Sequence, residues 1–95
     1  MIECSHGFDV CLRFEDVVTS NERTMARLLV FCGEISTGDV LQSESLDFRV
    51  DEIHKANRLH SNLPSFNSAA FVLFEIRGVI SSLEKGEFIR CLRAD

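Results

Sequence analysis

Three groups of side chains in this 95-residue chain are of types that do chemistry. Cys4, His6 and Cys11 offer two thiols and an imidazole, the donors that hold zinc. Their spacing matches no common zinc pattern, and a fourth ligand would have to be borrowed, so the expectation is ordinary terminal and core residues with no metal. His54 and His60 stand six positions apart, which puts them on one side of a strand but not of a helix. An exposed pair is the expectation there. Ser81, Ser82 and Glu84 combine hydroxyls with a carboxylate, but no Gly-x-Ser-x-Gly elbow surrounds them, and they read as turn or capping residues. With no Gly-x-x-x-x-Gly-Lys-Ser/Thr loop to cradle a phosphate either, neither enzymatic activity nor a bound cofactor is expected.

The densest cationic group is Arg49, His54, Lys55 and Arg58, all within ten positions. These four are the candidate partner-binding residues, able to meet a phosphate backbone or an acidic protein. The competing reading is a solvated face whose field Asp51 and Glu52 cancel beyond a Debye length of about 8 Å. Phe66, Phe71 and Phe74 offer a different chemistry: an exposed apolar patch of the kind that marks a protein interface. Core packing is the alternative for them, and it is expected for at least two. The formal net charge of −5 argues against a protein held mainly by attraction to phosphates.

The elements that must position these residues are mostly strands. Phe8, Val10, Leu12 and Phe14 alternate with Asp9, Cys11, Arg13 and Glu15, the period of a half-buried strand. Leu46, Phe48 and Val50 repeat that pattern. Residues 20–32 are open to two readings: a helix capped by Thr19 and Glu22, or a buried strand entered through the turn-forming "TSNER". Residues 51–60 read as a strand tail and loop, with a short helix as the rival. From Ala69 to Leu83 the apolar positions fit one arc of a helix. Gly78, the β-branched residues, and Phe71 and Phe74 on the polar arc oppose that reading, and as a strand Ala70, Val72, Phe74 and Ile76 form one apolar face.

Four of the five glycines fall in two segments, Gly33 to Leu41 ("GEISTGDVL") and Ile76 to Phe88 ("IRGVISSLEKGEF"). Gly33 and Gly38 let a strand turn sharply twice, Asp39 can bond the turn's own backbone, and Gly78 and Gly86 are expected to open and close a last hairpin leading to Phe88, Arg90 and Leu92. The positions Gly33, Ile35, Gly38, Asp39 and Leu41, then Val50 and Ile53, then Ile76, Arg77, Gly78, Val79, Leu83, Lys85 and Gly86 resemble the second, β-barrel domain of elongation factor Tu and related translational GTPases. The resemblance spans roughly residues 8–92. It implies an all-β fold, a small closed six-stranded barrel with room for one short helix, while the length of 95 residues leads to the expectation of a single domain over 1–95. It also implies a link to RNA or the ribosome. Leu28 and Leu29 stand where that family often has Gly-Arg before its glycine strand, so the arginine available for RNA is missing.

The expected function is therefore a binding module without catalysis, a protein-interaction or regulatory barrel, with an RNA- or ribosome-associated module as the alternative and a homo-oligomer as one form open to it. No segment reaches the roughly 18 to 20 apolar residues that cross a bilayer. "MIECSHGFDV" lacks the features of a signal peptide. A reducing, cytoplasmic setting is expected, with Cys11, Cys32 and Cys91 as small buried hydrophobes.

Overall fold

A computed structural model describes residues 7–94. Nine strands account for most of them: β1 (Val10–Ser20), β2 (Arg23–Cys32), β3 (Ile35–Ser36), β4 (Val40–Gln42), β5 (Asp47–Lys55), β6 (Arg58–His60), β7 (Asn62–Leu63), β8 (Asn67–Arg77) and β9 (Phe88–Ala94). The strand order β4-β9-β1-β2-β8-β5 is closed by antiparallel pairing of β5 with β4, which makes a six-stranded barrel. Strand β6 extends the sheet outside the barrel through β5, and β3 pairs with β7 as a separate ribbon. Closure pairs β4 with β5 and so joins the two edges of the six-stranded sheet.

The alternation in β1 and β5 sets their inward faces. Val10, Leu12 and Phe14 on β1, and Phe48, Val50 and Ile53 on β5, are all buried in one core. Ala26, Leu28 and Val30 of β2 face Phe71, Ala69 and Asn67 of β8 in register. Ile35 and Leu63 bring the small ribbon into the same core. Residues 20–32 are thus a turn and a strand, not a capped helix. Two residues, Asn21 and Glu22, join β1 to β2, both at positive φ (51° and 64°). Ala56 and Asn57 do the same between β5 and β6 (54° and 61°), so residues 51–60 form a hairpin. Positive φ at both central residues is the type I′ pattern, whose twist suits adjoining strands.

The only helical turn among the described residues is a 3-10 turn at Ile80–Ser82. It belongs to the link between β8 and β9, which is not a hairpin: β8 pairs with β2 and β5, whereas β9 pairs with β1 and β4. The link crosses the barrel end and drives Ile80 into the core, leaving it 1% exposed. Gly78 lets it pass, because a Cβ there would lie 2.4 Å from the Ser45 carbonyl oxygen and φ is +89°. Gly33 is equally constrained after β2, where a Cβ would lie 2.3 Å from the Asp9 carbonyl oxygen at φ +79°. Contacts of that length do not occur, so each site needs hydrogen in place of Cβ.

One apolar face is reversed relative to the reading from sequence. On β8 it is Ala69, Phe71 and Leu73 that enter the core, while Phe74 and Ile76 are each 55% exposed. On β9, Ile89 and Cys91 enter the core, Cys91 as expected, and Phe88, Arg90 and Leu92 are outside.

Candidate functional site

The four cations Arg49, His54, Lys55 and Arg58 do not form one surface. Arg49 and His54 lie on the outer side of β5, whereas Lys55 faces Arg58 across the hairpin with the opposite alternation. Arg49 is engaged twice: its Nε donates to Asp51 (2.8 Å), and its guanidinium lies 4.9 Å from the centre of the Phe74 ring, directly across the strands. His54 Nε2 meets Glu52 at 2.8 Å, and Arg23 holds the other oxygen of that carboxylate at 2.6 Å. The bond to His54, then that to Arg23, keeps the Glu52 carboxyl below its ordinary range. Lys55 donates to the Asn67 side chain. Arg58 is exposed. His54 stands opposite Leu59 and His60 opposite Ile53, so the two histidines do not share a face.

The glycine and aspartate turns hold the frame instead. Gly38 N–H donates to the Val50 carbonyl (2.7 Å) and Gly86 N–H to the Phe14 carbonyl (2.7 Å). Asp39 accepts from Ser36 N–H (2.9 Å) and from Arg93 Nε (3.3 Å), tying the turn to β9. Ser82 Oγ donates to the Val79 carbonyl at 2.7 Å within the 3-10 turn.

A more coherent surface lies on the outside of β9, β1, β2 and β8. Register places Phe88, Arg13, Leu29 and Ser68 in one row across these strands. Phe31 emerges at a bulge in the β1–β2 pairing, between Leu12 and Cys11 on the opposite strand. Its ring meets Phe88 edge-on at 5.4 Å between centroids and Phe66 edge-on at 6.0 Å. Phe66 precedes β8 at φ +64°, pinned by its N–H to the Val30 carbonyl (2.6 Å). The three rings remain 45%, 43% and 60% exposed at Phe31, Phe88 and Phe66. Arg90 lies on the outer side of β9, and Arg27 in a row with Asp16 and Ala70 farther along the same face. Phe71 is in the core and Phe66 and Phe74 are not, so core packing holds for one of the three phenylalanines considered from sequence.

Beside this face, a cleft of about 640 Å³ is lined by Arg13, Arg27 and Lys85, by Glu15 and Asp16, and by Val18 and Met25. Arg13 approaches Glu15 at 3.5 Å, and Ser68 Oγ donates to the same carboxylate at 3.2 Å.

The thiols offer little chemistry. Burial pushes Cys91 up to about 12, and it raises Cys11 as well, against the pull of Arg90. Both are free and buried. Cys32 is held in a disulfide, not the bare buried thiol expected from its neighbours. Of the proposed metal trio, Cys4 and His6 lie outside the described residues, and no cluster suited to a metal occurs among those described. No described helix is long and apolar enough to cross a membrane.

Phe31, Phe88, Arg13, Arg27 and Arg90 escaped the reading of the sequence as site residues. A signal for Phe31 was present: it shares strand parity with Arg27, whose charge cannot point into a barrel core, so Leu29 and Phe31 must face out with it.

The chain matches no family model and no curated protein. Its class therefore rests on the fold itself: a closed six-stranded antiparallel β-barrel with one additional paired strand.

Proposed function

We propose that this barrel is a non-catalytic binding module of the translation-factor second-domain type, which engages a protein partner through the outer face centred on Phe31. The observation that carries this reading is the Phe66–Phe31–Phe88 cluster, left exposed on a barrel that already has a complete core. Fully burying an exposed phenylalanine is worth about 1.5 to 3 kcal/mol, and these three rings, already about half covered, each keep roughly half of that to gain on binding. Aromatic side chains with arginine are also the composition of interface hot spots, where a desolvated centre is ringed by polar groups. Arg13 and Arg27, beside Glu15 and Asp16, supply a polar rim of mixed charge, and Arg90 adds a cation to it on a chain whose net charge is −5. The glycine and aspartate positions shared with translation-factor barrels support the type of scaffold, and they bear on shape, not on partner.

One observation favours RNA as a second reading. The rings and the three arginines occupy the same sheet face, as in the stacking platforms that hold single strands. The Phe cluster argues for protein because its rings pack edge to face against one another, which leaves their flat sides less available to bases.

Affinity capture from the source cell with the full chain and with Phe31→Ser, each with and without nuclease, separates these readings. A protein retained by the wild type, lost with Phe31→Ser and indifferent to nuclease is the expected result. Retention abolished by nuclease, or weakening steeply with salt, transfers the face to RNA. Equal capture by both chains removes the face from the function.

A further inference from the structure

The geometry points to a reversible homodimer formed by antiparallel pairing of β1 with β1 of a second copy, through the segment Asp16 to Ser20. Strand β9 covers β1 only from Val10 to Arg13, and the last bonds on that side are Phe14 N–H to the Glu87 carbonyl (2.8 Å) and Gly86 N–H to the Phe14 carbonyl (2.7 Å). Beyond them β1 continues to Ser20 with β2 on one side and no described strand on the other. The two-residue turn at Asn21 and Glu22 makes Ser20 and Arg23 a hydrogen-bonded pair. By alternation, Val18 and Asp16 also bond to β2, and Val17 and Thr19 aim their N–H and C=O groups at the open edge. The Val17 N–H fits this assignment: it donates to the carboxylate of the preceding Asp16 at 2.8 Å rather than to β2.

This edge complements itself. With a two-fold axis at Val18, Val17 faces Thr19 of the second copy and Thr19 faces its Val17, so all the outward backbone groups of these residues find partners. Val18, 58% exposed, meets Val18 of the other copy on the outer face. Asp16 stands in register with Ser20 of the second copy. Past Asp16 the bulge at Glu15 interrupts the register, and the Asn21-Glu22 turn of the second copy comes toward the cleft beside Phe14. There the Glu22 carboxylate would approach Arg13 and Lys85 in a lining that also holds Arg27 and the carboxylates Glu15 and Asp16. The two-fold register, and a cleft in which three cations face two carboxylates, together select a second copy over an arbitrary extended peptide. The Asp16 cap on Val17 must be exchanged for a carbonyl of the other chain, and the contact is short. Association is therefore concentration-dependent rather than obligate.

Sedimentation velocity of the full chain over rising concentration tests this directly. The mass should move from 10.7 kDa toward twice that value. Thr19→Pro removes an outward N–H without touching the β1–β2 ladder, a place where an edge strand tolerates proline. It should remain monomeric with an unchanged circular dichroism spectrum. Glu22→Lys should lose the dimer, and adding Lys85→Glu to that chain should restore it, a result that misfolding cannot mimic. A chain that stays at 10.7 kDa at every concentration overturns the proposal. So does a dimer that persists in folded Thr19→Pro or ignores both charge reversals.

Discussion

Arg77 grips both oxygens of Asp47 across the ends of β8 and β5, with Nε to Oδ2 at 3.1 Å and Nη2 to Oδ1 at 2.8 Å. The same Nη2 donates to the Ser43 carbonyl at 2.9 Å, so one side chain ties β8, β5 and the turn before β5 together. The hydrogen bonds from Arg77 lower the pKa of Asp47 from 3.8. A carboxyl whose folded pKa is depressed contributes stability above its unfolded value and loses it as pH falls through the folded one. The melting temperature should therefore fall as pH drops through and below 3.8. Asp47→Asn should be somewhat less stable at neutral pH and show a flatter acid limb, and thermal melts of both chains over that range are the check. An unchanged slope would show that the pair is too well solvated to count.

The two constrained glycines separate backbone strain from collision. Gly38→Ala and Gly86→Ala meet nothing within 4 Å, so each carries only the left-handed backbone cost of about 1 to 2 kcal/mol. Gly33→Ala and Gly78→Ala add a methyl group within 2.4 Å of a carbonyl oxygen and should cost distinctly more. Urea unfolding of the four variants should rank them in two pairs. Equal losses across the set would mean that the barrel end relaxes freely around Gly78 and Gly33.

Phe71 and Phe74 lie three positions apart on β8 with opposite fates. Phe71 is fully buried and faces Ala26 and Ile53, so Phe71→Ala should destabilise the barrel by about 3 to 5 kcal/mol. Phe74 is outside, stacked with Arg49, and Phe74→Ala should cost no more than about 1 kcal/mol. Denaturant titration of the two variants decides which face of β8 is inside, and the reverse ranking would overturn the register.

That contrast shows where sequence is informative and where it is not. On β1 and β5 polar residues occupy alternate positions, so the period alone orients Leu12 and Phe48 inward. On β8 both parities are apolar, Ala69, Phe71 and Leu73 against Ala70, Val72, Phe74 and Ile76, and a period of two cannot choose between them. The choice is made by non-local pairing, Ala26 against Phe71 and Leu28 against Ala69. The same blindness applies to the link through Gly78 and Gly86. Local turn chemistry was legible there, but pairing of β9 with β1 and β4 depends on barrel closure, which no local signal encodes. Among the candidate site residues, charge density along the chain picked out Arg49, His54, Lys55 and Arg58. Strand alternation then sent them to different sides and engaged Arg49 and His54 with Asp51 and Glu52. The aromatic face joins Phe31, Phe66 and Phe88, residues far apart in the chain that only the closed sheet brings together.

Cys91 is completely buried, and that burial lifts its thiol from 9.0 to about 12. A raised folded pKa means that its contribution is intact below about pH 9 and is lost as pH rises toward 12, because the unfolded thiol ionises first. Thermal stability should therefore decline above pH 9, and alkylation of Cys91 by iodoacetamide should proceed only through unfolding. Mass spectrometry of the alkylated protein, with and without denaturant, is the test. Rapid labelling of Cys91 in the folded protein would show that the β9 side of the core opens locally.

The two type I′ turns give the last prediction, and they separate stability from self-association. Ala56 and Asn57 sit at positive φ without glycine, although Asn-Gly is the pair that this turn favours. Ala56→Asn with Asn57→Gly should relieve part of a left-handed cost of about 1 to 2 kcal/mol at Ala56. Relief of about 1 kcal/mol would raise the melting temperature by about 4 to 8 °C in a domain of this size. Glu22→Gly makes the equivalent change in the β1–β2 turn, where φ is 64°, and should stabilise the monomer in the same direction. It also deletes the carboxylate that would reach Arg13 and Lys85 of a second copy, so its dimer should weaken while its dilute melting temperature rises. Differential scanning calorimetry at low concentration, paired with sedimentation at high concentration, measures the two effects apart. If Glu22→Gly raised both, the turn would be acting on the dimer only through hairpin order, and the contact with Lys85 would be excluded.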